Sequence, residues 1–224
     1  MSERRITAVV VDVVETLFSL DAVEEALDQA GAGAHARGRL FAALLRDGFA
    51  LAASGTFRPF ADVADAALAQ VAPHLHDDAR RQVLSAFGHL EPHADAGPAL
   101  EHLAAAGVQV AALTNGSSDT TSALLRRSGL EHLVHRVISV QEVGRWKPAA
   151  APYQHAAAVL GVDPPRAAMV AVHAWDIHGA RRAGLVTGWA ARLEGSFPPV
   201  FGEPDIVGPD LVSVVDGLLA LQAG

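Results

Sequence analysis

The chain has no cysteine and a single lysine in 224 residues. The missing cysteine excludes disulfides, thiolate metal sites and a thiol nucleophile, and is compatible with a reducing compartment. A formal net charge of −8 leaves no concentrated basic surface for phosphate backbones, so nucleic acid is not an expected partner. No apolar run approaches the ~18 residues of a spanning helix. The N-terminal M-S-E-R-R leads into a short apolar run that ends at an acid, which makes a poor signal peptide. Internal repeats and low-complexity linkers are also lacking. These absences lead us to expect a soluble, cytoplasmic protein with no membrane partner. Half of the residues are hydrophobic, enough for one sizeable domain or for a core with an inserted subdomain.

The most informative stretch is Thr7 to Leu20, T-A-V-V-V-D-V-V-E-T-L-F-S-L. Its first residues are apolar or β-branched without polar alternation, the pattern of a parallel strand buried on both faces. Asp12 then falls at the strand's C-terminal end, where open α/β sheets bind ligands. From Asp21 to Leu90 the pattern changes to helices, over residues 21–31, 35–54, 61–72 and 78–90, with Asp21 the expected N-cap of the first. After Pro92 strands and helices alternate. Strands are expected at V-Q-V-A-A-L-T, R-V-I-S-V, A-M-V-A-V-H and L-V-T-G-W-A, with helices near 97–106, 120–128, 152–160 and up to Gly184. Residues 196–204 read as a surface loop. Such alternation specifies a parallel sheet. The fold class is therefore α/β, a doubly wound, Rossmann-like core over 1–17 and 91–224 with an all-helical insertion over 18–90.

Polar residues gather at the ends of these strands: Asp12 with Thr16, Thr114 with Asn115, Lys147, and Asp176. At this point the chain resembles the haloacid dehalogenase superfamily of hydrolases. D-V-V-E-T-L is similar to the first motif of that family, L-T-N-G to its second, Lys147-Pro148 to its third and W-D-I-H-G-A to its fourth. The helical insertion falls where the family carries its cap. The resemblance implies that Asp12 is a nucleophile that forms a covalent intermediate, dividing one hard displacement into two easier steps. An ionised carboxylate there needs a nearby cation, which Lys147 supplies. Thr16, Thr114, the Asn115 amide and the N–H groups around Val13, Val14 and Gly116 would hold an anionic substrate or departing group. Asp176 would orient Lys147 or the hydrolytic water.

Departures from the motifs choose the branch. Phosphatases of this superfamily carry a general acid two residues after the nucleophile. Here that position is Val14, which has no proton to give and no side-chain oxygen. His173 stands in the fourth motif where a further acid is usual. A magnesium site built from Asp12, Val14 and Asp176 would be two anionic contributions short of the family's usual set, so no cofactor is expected to be required, with magnesium the alternative. Tyr153, six residues after Lys147, matches the dehalogenase branch, and the chain looks most like an inverting 2-haloacid dehalogenase acting on a small anionic organic substrate. That branch also uses a cap arginine. An ungapped alignment puts Phe41 in its place, with Arg46, Arg39 and Arg37 as alternatives, Arg46 being by the usual habit of arginine a surface residue. His173, where the branch has Asn, reads equally as a hydrogen-bonded support or as a participant. The alternatives are a magnesium-dependent phosphatase of small phosphoesters and a non-catalytic binding protein on the same scaffold. A homodimer is compatible with the sequence, which leaves the oligomeric state open. The tryptophans beside the motifs read as pocket walls, His74 and His76 as too few for a metal site, and Asp62, Asp65, Asp77 and Asp78 as a solvated face.

Overall fold

The computed structural model describes residues 6–221; the M-S-E-R-R segment read above against a signal peptide lies outside them. β1 (Ala8–Asp12) is the centre of a six-stranded sheet, flanked by β2 (Gln109–Thr114) on one side and β4 (Ala167–Ala171) on the other. β3 (Arg136–Ser139), β5 (Val186–Ala190) and β6 (Ile206–Gly208) complete the order β3-β2-β1-β4-β5-β6. Every pairing is parallel. All five residues of β1 and all five of β4 are buried, because helices cover both faces. On one face the cluster containing Val9, Val11 and Val110 packs against α5 (Ala96–Ala105) and α9 (Leu211–Ala220); on the other, Val10 and Met169 pack against α7 (Ala150–Val159) and α8 (Ala174–Arg182). α6 (Ser118–Arg127) is N-capped by Ser117, whose hydroxyl accepts the Thr120 N–H.

Between β1 and α5 the chain forms α1 (Asp21–Gln29), α2 (Ala36–Ala53), α3 (Phe60–Val71) and α4 (Asp77–Ser85). The block hangs on a two-stranded neck in which Ser19 N–H donates to the Glu91 carbonyl at 2.8 Å and His93 N–H to that of Leu17 at 2.9 Å. Asp21 is the first helical residue of α1 and not its cap; Leu20 holds that position and makes no side-chain cap bond. The acid still faces the positive end of the helix dipole. His76 caps α4 by accepting the Ala79 N–H, and His74 Nε2 lies 3.0 Å from the Gly31 carbonyl, so each has a structural partner. Asp65 and Asp78 pair with Arg80 and Arg81 on the outer surface.

The block is seated on the sheet's C-terminal edge through Trp146. A Cβ at Gly48 of α2 would lie 2.4 Å from the Trp146 ring, so only glycine lets the helix approach this closely. Phe60 stacks on the same indole at 5.9 Å, and Trp146 Nε1 donates to the Arg58 carbonyl at 2.8 Å. The sequence suggests no element after Pro204, but β6 and α9 extend the sheet and cover it. No helix among the described residues is long and apolar enough to cross a membrane.

Candidate active site

In the strand order 3-2-1-4, loops from neighbouring strands diverge at the carboxyl end of β1, the crevice where ligands bind in such sheets. Asp12, the last residue of β1, sits there with 5% of its surface exposed. Lys147 reaches it from the loop after β3 and is fully buried. Its Nζ donates to Asp12 Oδ1 at 2.7 Å, to Asp176 Oδ2 at 2.7 Å and to the Leu113 carbonyl at 3.1 Å. An ammonium has three donors, so all are used. Burial disfavours its charge, but the two carboxylates outweigh burial and hold the Lys147 pKa above its ordinary value. Thr16 Oγ1 donates to Asp12 Oδ2 at 2.6 Å and accepts the Val172 N–H at 3.2 Å, tying the second Asp12 oxygen to the end of β4. With a donor on each oxygen, the plane of the Asp12 carboxylate is fixed.

Asp176 is wholly buried in the first turn of α8. Tyr153 donates to its Oδ1 at 2.5 Å. Burial pushes the Asp176 carboxyl up, against the pull of Lys147. Burial, with the adjacent carboxylate, pushes the Tyr153 phenol well above its usual value. Both Asp176 oxygens are therefore engaged, and the carboxylate orients Lys147. Tyr153, which the resemblance leads us to expect at the substrate, has no exposed surface and braces Asp176 from behind. Asn115 Oδ1 accepts the Lys147 backbone N–H at 3.0 Å, leaving its NH₂ group as donor. Thr114 Oγ1 accepts the Gly116 N–H at 2.9 Å and folds the second motif's turn.

A small space of about 20 Å³ adjoins Asp12, walled by Val14, Asn115, Gly116, His173, Trp175 and side chains of α2 and α3. Val13 is buried and borders a neighbouring cleft. Phe41 of α2 stacks on His173 at 5.6 Å, and Trp175 stacks on the same imidazole at 5.4 Å. Arg46 is elsewhere: it pairs with Asp47 at 2.7 Å and donates to Gln70 on the outer surface, because Leu40, Ala43 and Leu44 form the inward face of α2. Arg37 pairs with Glu24 at 3.1 Å, and Arg39 is exposed. No cap arginine joins Lys147 beside Asp12; the further cationic group there is His173. Its Nε2 lies 3.2 Å from Glu15 Oε2, off the direction of a formed hydrogen bond, and Nδ1 lies 3.7 Å from Glu194 Oε1. Burial opposes protonation, but Glu15, Glu194 and Asp12 prevail and raise the His173 pKa to about 9. Trp175 Nε1 and His173 Nε2 are buried without hydrogen-bond partners, and Lys147 Nζ lies 5.7 Å over the Trp175 ring.

Glu15, Glu194 and Arg192 escape the sequence reading. Arg192 donates to the Glu15 and Thr16 carbonyls and to Asp95, holding the turn after Asp12 in place. Glu15 takes a left-handed φ of 64° there, a cost of order 1–3 kcal/mol for a residue other than glycine. That strain has no local sequence signal.

A family model described as haloacid dehalogenase-like hydrolase matches residues 6–184. The chain belongs to the haloacid dehalogenase-like hydrolases. Among its relatives is (S)-2-haloacid dehalogenase 2 of Pseudomonas sp. (strain CBS-3), 32% identical over 59% of this chain and 58% of that protein. The (S)-2-haloacid dehalogenase of Pseudomonas sp. (strain YL) is 29% identical over 94% of both chains. The first of these matches thus spans less than two thirds of the relative's length, and the second nearly all of it. Among solved structures, L-2-haloacid dehalogenase from Xanthobacter autotrophicus, with chloropropionic acid covalently bound, superposes with a TM-score of 0.84 at 27% identity, covering 94% of this hydrolase and 97% of that chain.

The residues present do not suit a magnesium ion. Among the described residues no three carboxylate or imidazole groups converge as ligands, and Val14 adds no side-chain oxygen. The oxygens by which Asp12 and Asp176 face one another are both bonded to Lys147.

Proposed function

We propose that this hydrolase cleaves the carbon–halogen bond of a small 2-halocarboxylate, with Asp12 as nucleophile and no metal. The observation that carries this reading is Lys147 seated between Asp12 and Asp176 at 2.7 Å from each. Asp12 thus faces a fixed ammonium, and Val14 leaves no carboxylic acid two residues on to protonate a leaving alkoxide. A halide leaves without a proton. The names of the relatives point the same way.

An Asp12 oxygen attacks C2 of the substrate, the carbon–halogen bond breaks, and the halide takes the electron pair. Negative charge moves from Asp12 towards the halide, where the Asn115 amide, the unpartnered Trp175 N–H and the His173 imidazolium stabilise it. Water then adds to the carbonyl carbon of the Asp12 ester, giving a proton to the Lys147–Asp176 pair. Collapse breaks the ester bond, the C2 oxygen takes up that proton, and the restored Asp12 carboxyl loses one proton to solvent. The products are a 2-hydroxycarboxylate, a halide and a proton. We further propose that residues 18–90 act as a cap over a core of 1–17 and 91–224, with Phe41 shielding the site from water, and that the enzyme works in the cytoplasm.

The test is halide release from (S)-2-chloropropanoate, with and without EDTA, beside phosphate release from p-nitrophenyl phosphate with and without Mg²⁺. Halide release insensitive to EDTA is expected. In heavy-oxygen water a single turnover should label Asp12 and not the product. Magnesium-dependent phosphate release without halide release would overturn the reading in favour of a phosphatase. Tight binding of halocarboxylates with neither reaction would favour a non-catalytic scaffold.

A further inference from the structure

The space beside Asp12, about 20 Å³, holds about one water molecule. Val14, Phe60, Thr114 and Gly116 wall this space and also a much larger cleft of about 290 Å³. That volume is near the lower end of sites that house small organic ligands, about 300 Å³. The cleft runs between the helical block and the sheet, with Ala61 and Ala64 of α3 and Phe87 on one side and Thr121 and Leu124 of α6 on the other. Among the described residues none that lines it is charged. Two of its hydroxyls, Ser117 and Thr120, bond each other at 2.8 Å.

We propose that this cleft receives an uncharged, apolar substituent on C2 of the substrate, so that the preferred substrates are 2-halocarboxylates with an alkyl chain of several carbons. The proposal rests on the reaction assigned to Asp12, because only a group bonded to the attacked carbon can start at the shared wall. The chemistry of the lining chooses the class. A second carboxylate entering the cleft would lose its water and find no cation to pair with. An alkyl chain exchanges water for the apolar faces of Phe60, Phe87 and Leu124, and each methylene buried strengthens binding about fourfold.

The test separates binding from turnover. Asp12→Asn is titrated by calorimetry with unsubstituted carboxylates from propanoate to octanoate and with octanedioate, while the unaltered enzyme is assayed for halide release on the matching 2-bromoalkanoates. Kd should fall about fourfold per methylene over at least about three methylenes, kcat/KM should rise in parallel, and octanedioate should bind no better than propanoate. Two substitutions then obstruct the cleft. A Cβ at Gly88 meets nothing within 4 Å, so Gly88→Leu has room to enter the hollow, and Ala61→Phe fills it from an exposed rim position. Each should lower the ratio of octanoate to propanoate affinity at least about tenfold. A Kd independent of chain length, or a chain-length series that both variants leave intact, would overturn the proposal. A chain-length-dependent Kd with no halide release from any bromoalkanoate would support the cleft and overturn the reaction assigned to Asp12.

Discussion

Replacing His173 by Gln should change the pH dependence of stability in one direction and one window. The imidazole faces Glu15, Glu194 and Asp12, with Phe41 and Trp175 stacked on it and Lys147 beyond Asp12. Its pKa rises from 6.5 to about 9 on folding. Each pKa unit is worth about 1.4 kcal/mol, so the charged ring adds about 3 kcal/mol to folding at low pH. A raised pKa means that this contribution is complete below pH 6.5, where folded and unfolded chains both carry the proton. Above that, folding must take up a proton, and the contribution falls by about 1.4 kcal/mol per pH unit until it is gone near pH 9. Urea unfolding of both proteins at pH values from about 6 to 9.5 measures this, and subtracting the variant removes the other histidines, which are common to both. The advantage of the unaltered enzyme should shrink by about 3 kcal/mol across the window. Its kcat/KM on a 2-halocarboxylate should also decline above about pH 9, a limb absent from His173→Gln. A difference curve that stays flat would refute the argument, because the ring would then be neutral in the fold.

Lys147→Met should lower turnover at least about a hundredfold. It also leaves two buried carboxylates facing each other and should cost about 3–5 kcal/mol in urea unfolding; Arg should rescue poorly, since a planar fork does not replace a point charge, and near-normal turnover of Lys147→Met would sink the pairing with Asp12. Tyr153→Phe removes the donor to Asp176 Oδ1 and should lower stability by about 1–3 kcal/mol, with KM little changed because the phenol does not face the substrate; a large KM change would contradict its placement. Gly48→Ala puts a methyl where the Trp146 ring lies 2.4 Å away and should cost about 1–3 kcal/mol, read as a lowered Tm; an unchanged Tm would show that α2 does not press on the indole.

Five of the six strands are legible in the sequence because each carries a mostly apolar run that the fold buries, over its whole length in β1 and β4 and over the last two residues in β3. β6 is not: it has three residues, and Val207 within it is 59% exposed. In the candidate site, Asp12, Thr16, Asn115, Lys147 and Asp176 can be found because each follows a strand in a recognisable local motif. Glu15 sits inside the first motif, but its role depends on His173, far away in the chain, and Glu194 and Arg192 lie in a loop with no motif. Arg46 lies on the surface, as the usual habit of arginine suggests, because the inward places on α2 go to Leu40, Ala43 and Leu44. Tyr153 follows Lys147 at the spacing of the branch, yet spacing cannot distinguish a residue that touches a ligand from one that braces a carboxylate.

Trp146 immediately precedes Lys147, and its indole is gripped by the helical block at Gly48, Phe60 and Arg58. The indole thus acts as a rivet between the helical block and the loop after β3. Any displacement of the block is transmitted to a side chain one peptide bond from the ammonium that pairs with Asp12. A substitution that loosens the block's hold on the indole is therefore expected to disturb the seat of the Lys147 ammonium as well as the block itself.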